Sequence, residues 1–75
     1  MQYFAGEDAA YKRLLRLAYA ADAGPIRRVA RDLTAEAIDG CIGIALAETH
    51  FHPDDDAASM VLSVLRGVAA EKAQA

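Results

Sequence analysis

Two stretches carry one pattern: Tyr11-Lys12-Arg13-Leu14-Leu15-Arg16-Leu17-Ala18 and Ile26-Arg27-Arg28-Val29-Ala30-Arg31-Asp32-Leu33. In each, an apolar residue precedes two cations, followed by two apolar residues and a third cation. Apolar side chains therefore recur at i, i+3, i+4 and i+7, the spacing of one helix face, and the arginines fall opposite. The 15-residue offset fits a degenerate repeat. Two amphipathic helices solvated by arginine account for it without one.

Working outward, the spacing predicts a first helix over about 8–22, with Asp8 as its cap and Leu17 and Ala21 flanking the buried stripe. Ala23-Gly24-Pro25 reads as its stop, since glycine accepts a left-handed cap and proline cannot continue a helix. Proline also suits the first turn of the next helix, expected over 25–33. Thr34 is a capping residue, and a third helix follows over 35–50. Its core face is Ile38, Cys41, Ile42 and Ala45. Its reverse face carries Gly40, Gly43 and Ala47 where charges would be expected, with Ile44 and Leu46 at the sides. A helix apolar nearly all round is ordinarily buried on more than one side.

Pro53 breaks the chain, and Asp54-Asp55-Asp56 suits the positive end of a fourth helix, expected over 54–70. Ala57, Met60, Val61, Val64, Leu65 and Val68 make its main stripe, widened by Ala58, Leu62 and Ala69. Ser59, Ser63 and Arg66 leave a narrow polar strip. Residues 71–75 read as a frayed tail. The fold expected is all-α: one compact four-helix domain over 1–75, with helices 1 and 2 as an antiparallel pair, helix 3 central and helix 4 packed across it.

Size bears on what such a domain needs. A chain of 75 residues hides only about 60% of its unfolded surface and is marginal unless something adds stability. Cys41 is the only cysteine, which excludes an internal disulfide and suits a reducing compartment. Much of the 55% hydrophobic content is alanine, a strong helix former with little to bury. The start, Met1-Gln2-Tyr3-Phe4, lacks the basic and apolar regions of a secretory leader. The longest apolar run, Cys41 to Ala47, is far below the roughly 20 residues of a membrane span. A soluble, cytoplasmic chain without a membrane partner is the expectation.

Three features bear on function. The first is the excess apolar surface of helices 3 and 4. A glycine inside a helix costs about 1 kcal/mol relative to alanine, so Gly40 and Gly43 call for compensation by close helix approach, within the chain or to a second subunit. Gly40, Gly43, Leu46, Ala47 and Leu62 are the interface candidates. The function expected is a small regulatory or adaptor module for protein–protein interaction, self-associating as a homodimer or receiving a partner's helix.

The second is the basic face of Lys12, Arg13, Arg16, Arg27, Arg28 and Arg31. Residues 1–33 hold six basic and four acidic side chains, and residues 34–75 hold two and seven. The arginine face can contact phosphates, and Val29–Ile38 faintly resembles a helix-turn-helix, which gives a nucleic-acid binder as the alternative function. The supposed recognition helix opposes it, presenting Glu36, Asp39 and Gly40 and no side chain suited to base edges.

The third is Glu48-Thr49-His50-Phe51-His52-Pro53-Asp54. His50, His52, Glu48 and Asp54 are ligand types for zinc or another divalent ion, and a metal-binding module is the third reading. No second cysteine or histidine cluster completes four ligands, and the residues also serve as a helix end and the start of the next helix. No metal or other cofactor is therefore expected. Nor is catalysis: Cys41 lies on a core face, where thiols are inert, and the glycines lack the strand that a phosphate loop requires.

Overall fold

The computed structural model describes residues 5–20 and 23–74. Within them the chain forms four helices and no strand: α1 (Ala5–Tyr19), α2 (Ala23–Arg31), α3 (Ala35–Phe51) and α4 (Asp56–Gln74). Helix α1 starts at Ala5, so Asp8, expected as its cap, falls within the helix rather than before it; Ala21 and Asp22 lie outside the described residues.

The punctuation between α1 and α2 differs from the expectation. Helix α1 stops at Tyr19, where the Ala20 N–H turns back to the Leu17 carbonyl (3.1 Å). Ala23, Gly24 and Pro25 do not end α1. They form the first turn of α2. Proline is tolerated there because its missing N–H has no helical acceptor. Gly24 has no Cβ to meet the proline ring, so it accepts the helical conformation that a residue before proline ordinarily avoids. Helix α2 ends at Arg31 rather than Leu33, and the Asp32 and Leu33 N–H groups close tight bonds to the Val29 and Ala30 carbonyls.

Thr34 caps α3 as its sequence position predicts. Its backbone is extended and its Oγ1 accepts the Ala37 N–H at 3.1 Å. At the other end the His52 N–H reaches the Glu48 carbonyl at 2.8 Å. Of the three aspartates, Asp55 is the cap of α4: its Oδ1 accepts the Ala58 N–H at 3.1 Å. Asp54 stays in the preceding turn, which the Asp55 N–H closes on the His52 carbonyl. The helix thus starts two residues later than expected. It also runs to Gln74, four residues past the expected end at Ala70. Glu71 in that extension holds Arg31 of α2, with Nη2 3.0 Å from Oε1, and Arg27 lies 3.7 Å away.

The core joins Tyr11, Leu14 and Ala18 of α1, Ile26 and Ala30 of α2, Ile38, Cys41 and Ala45 of α3, and Ala57, Val61, Leu62, Val64, Leu65 and Val68 of α4. The periodic stripes point inward as the spacing requires. Their assembly differs from the expected one. Helices α1 and α4 each pack on all three other helices, whereas α2 and α3 hardly touch. The centre is therefore α4 with α1, not α3. The reason lies in the side chains: seven residues of α4 are buried, against three of α3. Within the chain α3 packs on both α1 and α4, and Glu36, Asp39, Gly43, Leu46, Ala47 and His50 are left exposed.

Candidate interaction surface

The uncovered side of α3 follows from its helical spacing. With Ile38, Cys41 and Ala45 turned to the core, Glu36, Asp39, Gly43, Ala47 and His50 fall on the outer side, and all five are exposed. Gly40 and Ile44 are half-buried on one flank, and Leu46 is 42% exposed on the other. Phe51, in the last turn, is 74% exposed, more than any other large apolar residue of the described chain. Its ring meets the His50 imidazole edge to face, with centroids 5.1 Å apart at 81°.

Four of the five interface candidates thus share one face: Gly40, Gly43, Leu46 and Ala47. Leu62 does not belong with them. At 9% exposure it sits in the core, on the inward side of α4. The wide stripe of α4 is accounted for by its central position, since three helices cover it. Phe51 was hidden in the sequence by its neighbours, because between two histidines and a proline it reads as part of a polar turn.

Gly43 has no packing role inside the chain. A Cβ built there meets nothing within 4 Å, so no helix of this chain uses the space its missing side chain leaves. Gly67 of α4 is open in the same way, but it lies on the polar side with Ser63 and Arg66. Around Gly43 the outer face carries Leu46 and Ala47 together with Glu36, Asp39 and His50.

The basic residues of α1 and α2 divide into sets. Arg13 and Arg28 flank an open groove of about 290 Å³ together with Leu17, Pro25 and Val29. Arg27 and Arg31 turn the other way and engage Glu71. Lys12 and Arg16 are exposed. On α3, the helix that would enter a groove of nucleic acid presents Glu36 and Asp39 outward.

His50 and His52 are both exposed, Glu48 is half-buried and Asp54 exposed. Among the described residues no three His, Cys, Asp or Glu side chains are grouped as metal ligands would be. Cys41 is fully buried and not in a disulfide. Tyr11 is 3% exposed, and its hydroxyl has no hydrogen-bond partner. Burial, then the nearby Glu48 and Asp55 carboxylates, push its pKa up to about 12. A second groove, of about 250 Å³, runs between the start of α3 and the end of α4, with Asp39 and Lys72 at its rim.

Neither a family model, nor a curated protein, nor a solved structure matches the chain. None of the described helices is long and apolar enough to cross a membrane.

Proposed function

We propose that this chain is a small helical interaction module that binds another apolar helix surface through the outer face of α3. One observation carries the reading. Gly43 sits in mid-helix with open space beyond it, on a face where Leu46, Ala47 and Phe51 are left to solvent. A mid-helix glycine costs about 1 kcal/mol relative to alanine, and nothing in the intrachain packing offsets that cost. Close approach of a second helix would. Leu46 and Phe51 flank that face on its two sides, about 140° apart around the helix, and exposed apolar side chains gathered on one element mark interaction sites more often than scattered ones do.

The strength expected is modest. Fully burying an aromatic or leucine side chain contributes about 1.5–3 kcal/mol. Leu46 is 42% and Phe51 74% exposed, so two copies of each would supply about 3–7 kcal/mol, against a cost of at least about 4 kcal/mol for association itself. That places dissociation in the millimolar range or weaker.

The test is a dilution series of amide spectra from about 5 mM to 50 µM protein. Concentration-dependent shifts confined to Gly40, Gly43, Ile44, Ala47 and Phe51 are the expected result. Shifts gathered instead on the arginines of α1 and α2 would contradict the reading and favour their groove.

A further inference from the structure

The groove between α1 and α2 has two walls of the same make. Helix α1 contributes Arg13 and Leu17, one helical turn apart, and α2 contributes Pro25, Arg28 and Val29, at i, i+3 and i+4. Each wall therefore sets a guanidinium beside apolar side chains on one helix face. Leu17, Pro25 and Val29 are half-buried, and both arginines are exposed. The groove encloses about 290 Å³, and no described carboxylate lines it. Among the described residues neither Arg13 nor Arg28 has an ion-pair partner, whereas Arg27 and Arg31 are engaged by Glu71. Asp32 follows Arg28 by four residues, but it lies past the end of α2 and outside the lining.

We infer that this groove binds an acidic amphipathic helix of a partner protein, at a site separate from the α3 face. An apolar side chain of that helix sits on Leu17, Pro25 and Val29, with a carboxylate against each of Arg13 and Arg28. Charge complementarity selects the occupant. Two guanidiniums on opposite walls call for two anions, and arginine pairs carboxylates through its planar fork. The floor between them calls for an apolar group. A helix supplies both, since residues three and four apart share one face, and a furrow between two helices is a common seat for a third. The whole chain carries a formal charge of −3, so the attraction is local to this side. Nucleic acid fits less well. Phosphates make no use of an apolar floor, the lining has no aromatic side chain for a base to stack on, and Glu71 draws Arg27 and Arg31 away. A small ligand fits less well too, because its pockets cover most of its surface and this groove is open.

A peptide titration tests this. The probe is a synthetic helix of alanine, leucine and glutamate, with glutamates about one turn before and after a central leucine. It is added to the full chain, held too dilute for the α3 face to associate, and amide spectra are recorded. Shifts at Arg13, Leu17, Arg28 and Val29, with none at Gly43, are the expected result. Arg13→Glu with Arg28→Glu should weaken binding by about tenfold or more. Arg27→Glu with Arg31→Glu makes the same change in net charge on the far side of α2 and should alter binding by no more than about twofold; melting curves establish that both variants fold. Equal weakening by the two pairs would overturn the inference, since attraction would then be general rather than seated in the groove. A peptide with serine in place of leucine should bind distinctly less well; undiminished binding would remove the apolar seat. Tighter binding of a random DNA duplex, with shifts at the same four residues, would hand the groove to nucleic acid. Shifts on α3 instead, or none with the leucine–glutamate probe at millimolar concentration, would overturn it as well.

Discussion

Arg31 Nη2 lies 3.0 Å from Glu71 Oε1 and 3.4 Å from Oε2, joining the last residue of α2 to the last turn of α4. Both side chains are about half exposed, so the pair contributes little globally, about 0.2–1 kcal/mol. Its effect is local. Glu71→Ala should leave the melting temperature nearly unchanged and raise amide exchange over residues 70–74. Added salt should act on the wild type in the same direction by screening the pair. Unaltered exchange at that end of α4 would mean that the helix extends past Ala70 without help from the arginines.

Tyr11 supplies a pH test. Its hydroxyl is buried without a partner, so Tyr11→Phe should be neutral or slightly stabilising at pH 7. The alkaline limb is more informative. The folded pKa is raised from 10.0 to about 12 by burial and by Glu48 and Asp55. Below pH 10 the hydroxyl is protonated in both states and stability does not depend on it. Between pH 10 and 12 the unfolded chain releases the proton and the folded chain holds it, so stability falls as pH rises. The loss should amount to about 1–3 kcal/mol. Urea midpoints of wild type and Tyr11→Phe at pH 8 and pH 11 should diverge at the higher pH, with the variant the more stable. Parallel behaviour would mean that the phenol is reached by solvent.

The two side-chain caps should be separable. Thr34→Ala removes the 3.1 Å bond to the Ala37 N–H, and Asp55→Ala removes the 3.1 Å bond to the Ala58 N–H. Each should cost about 0.5–2 kcal/mol in denaturant unfolding. Asp54→Ala and Asp56→Ala should cost much less, because only Asp55 is the cap. An equal loss from all three aspartates would assign their effect to general charge at the helix end.

Gly43 and Gly67 make a matched pair. Both are helical and a Cβ meets nothing within 4 Å at either. Alanine at either position should raise the stability of the isolated chain by up to about 1 kcal/mol. Leucine should separate them: Gly67→Leu leaves association intact, whereas Gly43→Leu abolishes it and keeps the helix content. Equal effects of the two leucines on association would remove the special standing of α3.

The four helices and their inward stripes were legible in the sequence because 3.6-residue periodicity is a local property. Thr34 was legible for the same reason, since a cap acts within three residues. Pro25 was not, because proline is allowed both after a helix and in the first turn of the next, and only the conformation of Gly24 decides. Neither was the choice of Asp55 from three adjacent aspartates, which depends on the turn after Pro53. The spatial order of the helices is a non-local matter. Leu62 and Gly43 were grouped by apolar character alone. Leu62 went to the core because α4 lies among the other three helices, and Gly43 to the surface because α3 meets only α1 and α4 closely.

The most direct measurement is sedimentation of wild type and Gly43→Leu from about 50 µM to 5 mM, the range set by a millimolar association. The wild type should rise with concentration from the 8.0 kDa monomer towards twice that mass, while Gly43→Leu stays monomeric with undiminished helix content. A wild-type chain that remains monomeric throughout, or a Gly43→Leu variant that dimerises as well as the wild type, would contradict self-association through the outer face of α3.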